Sequence, residues 1–162
     1  MKIYFNLIFS DGLLEFLDTP PEGANFLITR IIHILTDKGP PTPEIVDKIR
    51  NLYEERNMED VRFLIPIMNG LTKFEITQLL PKIIHLKSHV VTEVYHRILR
   101  SDQGPMNPSD LFSALHNLEE DQNNKKLHYR QLQQAITLLF NEKKIYTQAV
   151  LAIALQVNFN LI

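Results

Sequence analysis

TKFEITQLLPKIIHLKSHVVTEVYHRILR, residues 72–100, decides the fold class. It reads twice as a helix and nowhere as a strand. Thr72-Lys73-Phe74-Glu75 fits a capping box, in which the threonine hydroxyl meets an amide three residues on and the glutamate reaches back. Ile76, Leu79, Leu80, Ile83 and Ile84 follow at helical spacing. Pro81 falls inside that pattern and must kink or split the helix, because it lacks an N–H and crowds the carbonyl four residues back. Ser88 is the expected cap of a second helix. At about 100° per residue, Val90, Val91, Val94, Tyr95, Ile98 and Leu99 gather on one side of it. His89, Thr92, Glu93, His96, Arg97 and Arg100 gather on the other, so the first set is the expected buried face and the second faces solvent or a partner.

The same stretch holds three of the chain's six histidines, His85, His89 and His96. His85-x-x-x-His89 has the spacing of a metal pair only on one unbroken helix, and Leu86-Lys87-Ser88 reads as a break. His89 and His96 share a face but lie two turns apart, about 10 Å along the axis, which is too far for one ion. Surface histidines without a metal are therefore the expectation. A helical metal-dependent hydrolase using the three is the alternative. Glu93 is matched instead with Arg97, four residues on.

Working outward, the punctuation stays helical. Pro20-Pro21 precede a helix expected from about Glu22 to Thr36. DKGPPTPE, residues 37–44, is a stop and a restart, with Gly39 as a candidate C-cap, Thr42 as N-cap, Pro43 at the first helical position and Glu44 beside the positive end of the dipole. That helix is expected to reach about Arg56. A third is expected from Glu59 to Met68, ended by Asn69-Gly70, with Pro66 posing the same difficulty as Pro81. Asn107-Pro108 opens another, EEDQNNKK at 119–126 reads as an exposed loop, a helix follows from about His128 to Asn141, and Thr147 starts the last.

About eight helices with short connections favour antiparallel neighbours, so the fold class is all-α: stacked helical hairpins in a HEAT-like α-solenoid. LIPIMNGL (64–71) and LLPKIIHL (79–86) are a faint internal echo. A single helical domain is expected over 1–162, best supported over 22–157, with atypical ends at 1–12 and 157–162. The last helix carries Ala149, Val150, Leu151, Ile153, Ala154 and Leu155. It is apolar on nearly every side, so it is expected either to be covered by further helices or a partner, or to be the central helix of a closed domain.

Composition narrows function. With 44% hydrophobic and 22% charged residues, the 162-residue chain is ordinary for a globular domain with a real core. A net charge of −2 supplies no global field to hold nucleic acid or an anionic membrane. The absence of cysteine excludes disulfides, thiolate zinc and a cysteine nucleophile. No run reaches the roughly 18 apolar residues of a membrane span. MKIYFNLIFSDG is interrupted by Asn6 and has no small-residue cleavage site after it, so it reads as a helix or strand rather than a signal peptide.

No hydrolase, phosphate-loop or dinucleotide fingerprint occurs, so no catalytic or cofactor-binding residue is assigned. Lys125-Lys126 and Lys143-Lys144 are short basic pairs in an acidic chain, and direct nucleic-acid contact is not expected, although an RNA-binding helical module remains an alternative. Arg50, Tyr53, Arg56 and Arg62, with Lys48, form a denser basic stretch around a helix end. These four are the candidate partner-binding residues, set against the plainer reading of a solvated face.

An ordered series of strings carries a resemblance. HILTDKGPPTPEIVDKIRNLYEERN (33–57), DVRFLIPIMNGLTKFEITQLLPKIIHL (60–86), VVTEVYHRIL (90–99), NPSDLFSALHNL (107–118) and IYTQAVLAIALQ (145–156) resemble the C-terminal region of the symplekin family. The resemblance implies a helical, HEAT-like, non-enzymatic scaffold of pre-mRNA cleavage and polyadenylation in the nucleus. It implies protein partners: the endonuclease subunit of the cleavage complex, its inactive paralogue, and stimulation or polyadenylation factors. It carries over no catalytic residue, no cofactor and no binding motif. Members of the family are much longer, and MKIYFNLIF and VNFNLI depart from its pattern, so the chain reads as a fragment.

Overall fold

The computed structural model describes residues 12–37, 39–99, 104–118 and 125–159. Residues 119–124 of the loop expected at 119–126, and most of the atypical ends expected at 1–12 and 157–162, lie outside them. Among the described residues every regular element is helical. They fall into two compact units, one ending at Leu71 and the other beginning at Thr72.

The first unit contains α1 (12–18), α2 (Asn25–Thr36), α3 (Pro43–Glu55) and a 3₁₀ segment (Val61–Gly70). The turn before α2 uses Gly23 at a φ of 79°, a left-handed conformation that costs glycine little. α2 begins three residues later than expected and closes on Asp37, whose N–H donates to the His33 carbonyl; Gly39 lies beyond that cap. α3 starts as expected, with Thr42 in extended conformation and Pro43 at the first position, although the threonine side chain makes no capping hydrogen bond. Its buried stripe is Ile45, Val46, Ile49 and Leu52.

The expected third α-helix is a ten-residue 3₁₀ segment instead. Pro66 is the physical reason, since its ring crowds the carbonyl that an α-helix would present to it and it has no N–H to donate. A 3₁₀ run this long is uncommon. Here Val61, Phe63, Leu64, Ile65, Pro66, Ile67 and Met68 are all buried, so burial on every side holds the segment against α2 and α3. Its end approaches α3 so closely that a β-carbon on Gly70 would collide with Val46 Cγ2 and come within 3.3 Å of Pro41 Cγ.

The second unit contains α4 (Lys73–Ile83), α5 (Ser88–Ile98), α6 (Pro108–His116), α7 (Lys125–Asn141) and α8 (Gln148–Phe159). The capping box forms: Glu75 N–H donates to Thr72 Oγ1 at 3.3 Å, and Thr72 N–H donates to Glu75 Oε2 at 2.7 Å. Pro81 sits in the last turn of α4, which stops two residues later at Ile83. The break before Ser88 is present, but Lys87 is the N-cap and Ser88 is the first helical residue. The Ser88 hydroxyl instead accepts from Gln134 Nε2 at 2.6 Å, tying α5 to α7. Asn107 caps α6 as expected, accepting from Asp110 N–H at 2.8 Å. Lys125 and Lys126, expected in a loop, open α7.

The phase of α5 is as read from the sequence, with one correction. Val91, Val94, Tyr95 and Ile98 are buried, Val90 and Leu99 are half-buried, and His89 and His96 are exposed. Arg97, expected at the solvent face, is buried, with its Nε donating to Glu93 Oε1 at 3.1 Å. A wheel gives only the direction at Cα; here the whole side chain is covered, and the pair with Glu93 one turn back supplies a counter-charge for the buried guanidinium. α8 packs on α6 and buries Ala154, but leaves Ile153 and Leu155 about half exposed, so it is not a central helix surrounded by the others. No helix among the described residues is long and apolar enough to cross a membrane.

Candidate functional site

The candidate arginines of the first unit, Arg50, Arg56 and Arg62, are placed by α3 and the start of the 3₁₀ segment. Each of these three has a partner within its own unit. Arg50 pairs with Asp47 one turn back. Arg56 donates to the Pro20 carbonyl and to Asn25 Oδ1, both at 3.0 Å, so it fastens the entry of α2 to the end of α3. Arg62 forks onto Asp60, with Nε 2.8 Å from Oδ1 and Nη2 2.6 Å from Oδ2. That hydrogen bonding holds the Asp60 carboxyl below the usual carboxylate range. Tyr53 is half-buried beside the apolar stripe, while Arg56 and Arg62 are exposed. The four residues are thus spread from the second half of α3 to the start of the 3₁₀ segment, and the arginines also hold their own unit in shape.

The three histidines of the second unit face different neighbours. The rings of His85 and His128 lie 5.8 Å apart at 49°. His96 Nε2 is 3.0 Å from Glu142 Oε1, at the end of α7. His89 is exposed on the first turn of α5. Among the described residues, no three histidine or acidic side chains gather as ligands would. The alternative built on convergence of His85, His89 and His96 therefore has no geometric support.

A different feature, missed from the sequence, lies along α7. His116 and Leu118, at the end of α6, and Tyr129, Leu132, Ile136 and Phe140 of α7 line an open groove of about 500 Å³. Its wall is ordered by stacking. His116 lies parallel to Phe112 at 6.3 Å, and Phe140 tilts onto the same ring at 5.8 Å. Phe112 is itself buried, so it fixes both. His128 also lines the groove, 4% exposed, and its Nε2 is buried without a hydrogen-bond partner. A second depression of about 470 Å³ adjoins it, sharing Gln133 and Thr137 and reaching Arg130. The sequence signal was present: α7 is apolar over a wider arc than the stripe of Ala135 and Leu139 that the fold buries.

The family model described as "Symplekin tight junction protein C terminal" matches residues 60–161, which is more than half of the chain. No solved structure matches it.

Proposed function

The chain belongs to the symplekin C-terminal family, and on that premise we propose that it is a non-enzymatic scaffold of mRNA 3′-end processing. It acts in the nucleus by holding cleavage and polyadenylation factors together through helical surfaces. Its partners are the endonuclease subunit of the cleavage complex, the inactive paralogue of that subunit, and stimulation or polyadenylation factors. The family match over residues 60–161 carries the reading. The all-helical architecture supports it, because packed helical hairpins expose ridges and grooves on which a partner segment can lie. In the first unit, the partner-facing surface is the one bearing Arg50, Tyr53, Arg56 and Arg62.

Affinity purification of the tagged chain from nuclear extract tests this. Recovery of the endonuclease subunit, its paralogue and stimulation factors is the expected result. Recovery of none of the 3′-end processing factors overturns it.

A further inference from the structure

We propose that the groove along α7 is a docking site for an acidic amphipathic helix of a partner protein. The inference rests on the scaffold reading and adds the surface and the chemistry of what it holds. α7 presents three arcs. His128, Ala135 and Leu139 are buried in the unit. Beside them, Tyr129, Leu132, Ile136 and Phe140 form an apolar strip that lines the groove, with Tyr129 67% and Phe140 43% exposed. Beyond that strip lies the polar depression with Arg130.

Shape favours a helix as the occupant. From Tyr129 to Phe140 the strip runs about 16 Å, the length of three helical turns. Partner helices of this kind anchor through residues one and two turns apart, and a strip flanked by an open channel accepts such a ridge. Stacking on Phe112 holds His116 and Phe140 in place before anything binds, which lowers the ordering cost of association.

Charge selects the kind of helix. α7 reads KKLHYRQLQQAITLLFN, with three cations and no acidic residue. Arg130 is exposed and makes no ion pair with the described residues, unlike Arg50, Arg62 and Arg97. A helix laying leucine or phenylalanine into the groove places the residues flanking its ridge over the adjoining depression. A glutamate or aspartate there meets Arg130.

The test uses the full chain and two designed helical peptides, read by fluorescence anisotropy. One carries leucines at one-turn spacing flanked by glutamates; the other has lysines in place of the glutamates. The acidic peptide should bind about tenfold more tightly than the basic one, with a salt-dependent difference. Arg130→Glu should reverse that preference, and Tyr129→Ser should weaken both peptides. Both substitutions are at exposed positions, so circular dichroism should show an unchanged helix content. Equal binding of the two peptides, no binding of either, or indifference to both substitutions overturns the proposal. Self-association of the chain that Tyr129→Ser abolishes also overturns it, by making a second copy the occupant. The same variants in the nuclear-extract purification separate the two readings. If wild type and variants recover the processing factors equally, the scaffold stands and this docking site falls. If wild type recovers none while the acidic peptide binds, the docking site stands and the scaffold reading falls.

Discussion

At Val94 and His96, two positions apart on α5, the same helix meets opposite surroundings. Val94 is fully buried and His96 is exposed beside Glu142. Val94→Asp should cost about 3 kcal/mol or more, because it buries a charge with no partner. His96→Ala should cost about half a kcal/mol or less, since it removes only an exposed pair. Thermal denaturation of both variants measures this, and equal losses would mean that the phase of α5 is wrong. Two buried phenols make a pH prediction. Burial pushes the Tyr95 and Tyr146 hydroxyls well above the ordinary tyrosine range, with each donating to a backbone carbonyl, of Ala135 and Pro108 respectively. Their folded values are raised, so their contribution is fully present below about pH 10 and is lost as pH rises and the unfolded phenols ionise. Melts at pH 8 and pH 11 should show a loss of stability that a Tyr95→Phe Tyr146→Phe variant reduces. An undiminished loss would place the alkaline sensitivity elsewhere.

Elements differ in how far their own sequence specifies them. The caps at Thr72 and Asn107 were legible because each hydrogen bond closes within three residues. Thr72→Ala should cost about 1 kcal/mol and loosen the start of α4, visible as faster amide exchange at Glu75 and Ile76. The buried face of α5 was legible for a similar reason, since periodicity is local. Other features depend on distant neighbours. Pro66 announced a difficulty at 61–70, but only packing against α2 and α3 selects a 3₁₀ path as its solution. Ser88 resembles a cap in sequence, and its hydroxyl bonds Gln134 from a separate helix. Gly70 read as a helix stop, whereas Val46 of α3 is what demands a missing side chain there. Gly70→Ala should therefore destabilise the first unit by about 1–3 kcal/mol, as overpacking does, in a chemical-denaturation measurement. The same substitution at Gly12, where nothing lies within 4 Å of the added carbon, should not.

For the whole molecule, the all-helical class followed from local signals, and the candidate site only in part. The basic stretch at Arg50, Tyr53, Arg56 and Arg62 was visible as composition, but the ion pairs of Arg50 and Arg62 and the hydrogen bonds of Arg56 that hold them in their own unit were not. The groove on α7 was harder still. Its strip of Tyr129, Leu132, Ile136 and Phe140 reads as ordinary core in a linear sequence, and only the packed unit shows that this strip is left partly uncovered. Stacked surfaces of this kind suit a protein that works by holding others, and the family to which the chain belongs points the same way. The most direct measurement of that claim is the mass of the purified chain co-expressed with the endonuclease subunit and its inactive paralogue, read by light scattering during size-exclusion chromatography. A scaffold predicts one peak containing the chain and at least one of these partners in fixed stoichiometry. Separate elution of the chain from both, at its own mass, would contradict it.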